Sequence, residues 1–401
     1  MAYFPLSNEQ QSWLERAESI ATEVLAPHAA QVDREAAFPT QQLDALREAG
    51  LFGLRVDKDH GGQGEGLLTF ALVTEALARA CPSTALIYKM HLESIELVSR
   101  DPTPEQAERV VPRLASGEWL STVAGSESGH QGGAWAGAPK AQVHQVKGGY
   151  EVRNIRKAFV TAAGIADTYF FMCSLEKEGE KPQPLTFQIQ SDDLDWTIDE
   201  PWDGLGMRGN QSSPMTFNGF IPEARRVGAN GAGLFGVLPV VLGSYAAVYL
   251  GVAGGCYDLL HNHIKETTLA DGRPMGEVET IQRSMATLSV ELERSRALLQ
   301  SVCAAFDAGR EPPPRVFFEA KVACDQLATV VTSEAMTLGG GTAFAKRLPF
   351  ERYVRDARAG MVMGIAHDIA LINIGKAMFP RPKNDKRKDR KPGSDKQDRK
   401  S

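Results

Sequence analysis

Apolar residues recur at helical spacing from the start of the chain. Ser7 is followed by Gln10 and then by Trp13, Leu14, Ala17, Ile20, Ala21, Val24 and Leu25. That pattern predicts a capped helix over 7–35, with a kink or an end at Pro27. Helical patterns follow over about 39–49, 66–80, 83–99 and 104–115, so residues 1–118 read as all-helical. The period then changes. Short alternating or β-branched runs occupy 119–123, 141–146, 150–153, 168–173, 185–189, 196–198 and 215–217, with Gly and Pro turn signals between them. Residues 119–230 therefore read as a β-domain of sandwich or barrel type. Long helical patterns return over 233–267, 277–308, 315–338 and 361–379, the third ending at the glycine cluster Gly339-Gly340-Gly341. Residues 231–380 are expected to form a four-helix bundle. The fold class expected is α+β.

Composition adjusts this picture at its end. Residues 381–401 carry ten Lys/Arg and four Asp and no side chain able to build a core, so a disordered basic tail is expected there. The tail contributes +6 to a net charge of −6, which leaves −12 on residues 1–380. An acidic body argues against nucleic acid as the main partner. No apolar run of 18 residues suggests a membrane span, and the N-terminus lacks the pattern of a signal peptide. Five scattered cysteines with no CxxC pair suggest neither a zinc site nor a disulfide framework, and fit a reducing, cytoplasmic setting.

The chemistry is concentrated in 333–375. A glycine cluster lies beside Arg352, Arg355, Asp356 and Arg358, and a glycine-broken apolar stretch ends at His367 and Asp368. Glycines that permit close approach next to an Arg/Asp cluster suit a phosphate-bearing cofactor. A helix C-cap followed by a solvated ion-pair face fits the same residues.

Several segments in order decide between these readings. LDALREAGLFGLRVDKDHGGQG, KAFVTAAGIAD, LGMRGNQSSPMTFNGFIPEARRVG, GVAGGCYDLLHNHIKE and MTLGGGTAF followed by LPFERYVRDAR resemble the acyl-CoA dehydrogenase superfamily of flavoproteins over about residues 5–380. The resemblance implies a helical domain, a β-domain and a helical bundle around FAD, with FMN as an alternative. It places Phe159 and Thr161 beside the flavin. Strand alternation puts both on one face, giving an aromatic wall and a hydroxyl. It sets Ser126, in Ser126-Glu127-Ser128-Gly129, where the family has Thr-Glu-Pro-Gly, and Gly132-Gly133 where Ser-Asp is usual. It assigns Arg273, Gly339 and Gly340 to the cofactor of a neighbouring subunit, so a homodimer or homotetramer is implied. Met336 stands where the family has a glutamine. Asp258 falls on the helix that contacts the thioester substrate.

The resemblance also locates a gap. The family's catalytic glutamate, eight residues after the Asp of its Arg-Asp motif, corresponds to Gly364, and the alternative base position corresponds to about Val241. A dehydrogenase must then use a displaced base, with His367, or Glu93 and His91 on the helix flooring the substrate cavity, as candidates. Two other readings stay open: a flavin-dependent monooxygenase in which Gly364 makes room, and a non-catalytic flavin-binding subunit. An electron-transfer flavoprotein or a flavin reductase is the implied redox partner.

Overall fold

The computed structural model describes residues 5–129, 139–175, 182–228 and 236–380. Helix α1 (Asn8–Ile20) starts at the Ser7 capping box, where Ser7 Oγ accepts from the Gln10 N–H at 3.1 Å and Gln10 Oε1 accepts from the Ser7 N–H at 3.0 Å. A wide π turn over Ala21–Leu25 carries the chain straight into α2 (Ala26–Arg34). Pro27 therefore neither ends nor sharply breaks the helix: it falls in the first turn of α2, where a missing N–H is tolerated. Helices α3 (Thr40–Glu48), α4 (Leu67–Ala80), α5 (Pro82–Ser99) and α6 (Val111–Ser116) complete this region. The start of α4 is capped from far away: Asp307 accepts from the N–H groups of Leu67 and Leu68 at 2.7 and 2.8 Å.

The middle region is one curled seven-stranded sheet. Its strands are β1 (Ser121–Ala124), β2 (Gln142–Val146), β3 (Gly149–Lys157), β4 (Thr168–Leu175), β5 (Gln183–Gln190), β6 (Asp195–Ile198) and β7 (Met215–Pro222). Strands β1 and β2 pair in parallel with the two ends of β4, β5 pairs antiparallel with it, and β2-β3-β7-β6 continue antiparallel. Strand β4 is buried along its whole length, as a strand covered on both faces should be.

Among the described residues five α-helices follow: α7 (Leu238–Glu266), α8 (Glu279–Asp307), α9 (Pro314–Phe344), α10 (Phe350–Gly360) and α11 (His367–Met378). Helix α7 is long and apolar enough to cross a bilayer, yet 89% of its most apolar window is buried within the fold. Two expectations need correction. Helix α9 does not stop at the glycine cluster. It runs to Phe344 with a break at Gly340 (φ 54°, ψ −140°), a conformation open to glycine. The segment after it is not one helix from 361. Helix α10 ends at Gly360, a turn with Gly364 at φ +67° reverses the chain, and α11 begins at His367. Helix α5 packs on α4, α7 and β1, so it is the element shared by all three regions.

Candidate active site

Helix α5 is buried along nearly its whole length although it carries Lys89, His91, Glu93, Ser94 and Glu96. Each of these charges needs a partner at that depth. Lys89 and Glu93, one helical turn apart and fully buried, form an ion pair. The Lys89 ammonium also sits 3.3 Å from the ring centroid of Tyr245 on α7, a cation–π contact. Burial pushes the Lys89 pKa down and the Glu93 pKa up, with the mutual attraction opposing both shifts. The second carboxylate oxygen of Glu93, Oε1, has no hydrogen-bond partner among the described residues.

Tyr245 connects this pair to the position of the missing base. A Cβ at Gly364 would stand 2.7 to 3.1 Å from three carbons of the Tyr245 ring. The space is therefore filled by tyrosine, which corrects the expectation that Gly364 leaves room. The Tyr245 hydroxyl donates to the sulfur of Met90 at 3.6 Å, and burial raises its pKa. Val241, the other base position, is fully buried in α7.

A second buried pair lies on α9. Lys321 bonds Asp325 at 2.6 Å and the Gly360 carbonyl at 3.2 Å. His367 points its Nδ1 toward Asp325 at 3.8 Å, too far for a hydrogen bond, and that nitrogen has no other partner among the described residues. Burial raises the Asp325 pKa, with Lys321 pulling against it.

His91 is placed differently. Its Nδ1 accepts from the Ser121 N–H at 3.0 Å, its Nε2 reaches the Leu114 carbonyl at 3.1 Å, and Phe52 lies 4.5 Å from its ring. Burial drops its pKa to about 3, so it is a neutral group joining α5 to β1. Asp258 is ion-paired with Arg79 and lines a cavity of about 210 Å³ with Glu75 and Arg296, apart from the Lys89–Tyr245 contact.

The residues assigned to the flavin gather at the end of β3. That strand stops at Lys157, so Phe159 and Thr161 do not alternate on a strand as expected. They enter a turn in which Ala162 has φ +56°. Phe159 is 60% exposed, with its ring edge-on to Trp202, while Thr161 is buried and 3.2 Å from the Ser212 hydroxyl. The Ser126 carbonyl accepts from the Ala158 N–H at 2.8 Å, which holds the 126–129 segment against this turn. Glu127 locks it further through Lys157 at 2.6 Å and the Lys140 N–H at 2.7 Å. Burial works against the Glu127 charge, but Lys157 and the backbone donors outweigh it and hold the carboxyl below its usual range. Sequence reasoning missed the Glu127–Lys157 clamp, because the two residues lie 30 positions apart and only the fold shows that Lys157 is buried. Gly132 and Gly133 lie outside the described residues.

An aromatic face left open to solvent, with two hydroxyls behind it, fits the edge and face of an isoalloxazine ring. Ser126, Phe159 and Thr161 would hold it. On the bundle, the exposed Arg273 side chain donates to Asp271 at 2.7 Å in the turn between α7 and α8. Gly340 has open space where a side chain would stand, while Gly339 is packed against Ala343. Arg273 and Gly340 thus face outward, and Met336 packs partly buried against the core.

This architecture and site define a flavoprotein oxidoreductase built from helical, sheet and helical regions. The chain belongs to the acyl-CoA dehydrogenase superfamily: residues 7–118 match the family model of the acyl-CoA dehydrogenase N-terminal domain and residues 243–379 that of its C-terminal domain. It is 29% identical over 363 residues to the mitochondrial short/branched chain specific acyl-CoA dehydrogenase of Bos taurus, covering 89% of this chain and 83% of that one. The butyryl-CoA dehydrogenase of Megasphaera elsdenii superposes with a TM-score of 0.87 over 94% of this chain and all of that one, at 22% identity. TdsC from Paenibacillus sp. A11-2, solved with FMN and indole, superposes with a TM-score of 0.82 at 22% identity, covering 92% of this chain and 97% of that one.

Proposed function

We propose that the protein oxidises an acyl-CoA, or a related acyl thioester, at its CH–CH position, with Glu93 as the base. The observation that carries this reading is the Tyr245 ring, which touches both the place of the missing glutamate and the Lys89–Glu93 pair. Glu93 has a carboxylate oxygen with no partner, as a base waiting for a proton would. Burial raises its proton affinity, which favours accepting a weakly acidic α-proton. Lys89 then balances the carboxylate before the transfer. A bound flavin, FAD in preference to FMN, held by Ser126, Phe159 and Thr161, would supply a hydride acceptor, and Glu93 would take the α-proton. Electron-transfer flavoprotein is the proposed reoxidant. The five buried, unpaired cysteines support a reducing compartment.

Tyr245 also weighs against the monooxygenase reading, because that reading wants empty space at Gly364. The deciding experiment is anaerobic mixing of the purified yellow protein with short and branched acyl-CoAs. Bleaching of the flavin is expected, and Glu93→Gln should slow it by about 10²–10⁴-fold while leaving the protein yellow. Equal bleaching in Glu93→Gln removes Glu93 as base. Oxygen uptake that needs NAD(P)H and a flavin reductase would establish the monooxygenase instead, and a colourless protein the non-catalytic subunit.

A further inference from the structure

A groove of about 750 Å³ runs where α2, the loop before β7 and the start of α10 meet. Five basic and three acidic side chains line it. Two of the acids share one arginine: Arg355 holds Asp33 through two bonds of 2.8 and 2.6 Å and Glu351 through bonds of 2.6 and 3.1 Å. Arg208 is fixed on the Asp33 carbonyl at 2.9 Å, with Asp203 at 3.4 Å. With five basic side chains against three acidic ones the lining keeps a positive surplus, to which Lys346 and Arg352 contribute.

Arg352 is the unusual member. It is only 7% exposed, yet its Nε has no hydrogen-bond partner among the described residues, and the carboxylate that feels its charge, the buried Asp356 one turn along α10, is itself pushed up to about 6 by burial. Its guanidinium carbon lies 5.4 Å from the centroid of the Tyr353 ring. A guanidinium N–H buried without an acceptor is costly unless an anion completes it. The same wall contains the start of α10, an eleven-residue helix whose N-cap is Pro349 and which no side chain caps. Its first-turn N–H groups and the positive end of its dipole are left for a ligand.

We infer that this groove binds a phosphate group, held by Arg352, Lys346 and the first turn of α10, separately from the flavin. A phosphate offers several acceptor oxygens, matching an arginine, a lysine and backbone donors converging on one place. The source is either free phosphate or the phosphomonoester of a nucleotide. The experiment is calorimetric titration of the flavin-loaded protein at low ionic strength with inorganic phosphate, adenosine 3′-phosphate and, as a control, chloride. Saturable one-to-one binding is expected with phosphate and not with chloride. Tighter binding of adenosine 3′-phosphate assigns a nucleotide source; equal binding assigns free phosphate. Lys346→Glu changes an exposed side chain and should weaken binding at least tenfold with flavin content unchanged. Arg352→Lys, which keeps the buried charge but loses the fork, should weaken it as well. Absence of saturable binding, or binding unaltered in both variants, overturns the inference. So does loss of flavin in Lys346→Glu, which would make the groove part of the cofactor site.

Discussion

Gly364 illustrates how one residue fixes what its neighbours are free to become. Its φ of +67° disfavours any side chain, and the Tyr245 ring fills the space a side chain would take. Gly364→Glu alone is therefore expected to lower the melting temperature and to leave the rate of flavin bleaching by acyl-CoA unchanged. Adding Tyr245→Ala opens the space, and the double variant should bleach faster than either single one in stopped-flow absorbance. Absence of any gain in the double variant would mean that position 364 no longer faces the substrate.

His91 makes a second prediction at this scale. Burial lowers its pKa from 6.5 to about 3, so the unfolded chain binds the proton that the folded one refuses. Its contribution to stability is whole above about pH 6.5 and is lost as pH falls toward about 3, by about 1.4 kcal/mol per unit. Asp356 has the opposite sign: burial raises it from 3.8 to about 6, so its folded form gains stability as pH drops through that range. Urea unfolding of wild type against His91→Gln should show their stability difference rising with pH between 4 and 6. A difference independent of pH would show that His91 is charged in the folded state.

Among the elements, α5 and α9 repeat one device, a buried lysine and acid one turn apart: Lys89–Glu93 and Lys321–Asp325. Such pairs recover their desolvation only while both members are present. Lys89→Met alone should cost about 3–5 kcal/mol in denaturant unfolding, since it strands Glu93 in an apolar site. Lys89→Met with Glu93→Leu should return to within about 1–2 kcal/mol of wild type, but without bleaching. If the double variant were as unstable as the single, the pair would be a stabilising element in its own right. These pairs were visible in sequence as i, i+4 charges, a spacing that normally marks a solvated helix face. Nothing local shows that α5 is enclosed on every side.

For the whole molecule, two outward-facing features of the bundle matter. Phe344, 81% exposed at the end of α9, stands beside the glycine cluster, and Arg273 faces solvent at the α7–α8 turn. We propose that a second subunit covers this surface and that its flavin meets Arg273 and Gly340. Phe344→Glu should move the protein to a smaller species in size-exclusion chromatography and lower its flavin content together. Full flavin content in a monomeric species would detach Arg273 and Gly340 from the cofactor.

Much of this organisation could be read from periodicity, because a 3.6-residue period and an alternating one are local properties of the chain. The switch from helix to strand and back, the Ser7 cap and the seven strands followed from it. The order of short segments pointed to the flavoprotein superfamily and to the gap at Gly364. Sequence alone did not show that α9 continues past Gly340, since a glycine can stop a helix or merely bend it, and packing decides which. It did not show Asp307 capping α4 from 240 residues away, nor the Nε of Arg352 buried without a hydrogen-bond partner among the described residues. Above all, it offered an empty Gly364, where the tertiary structure has the ring of Tyr245, because occupancy of space depends on what the rest of the chain brings there.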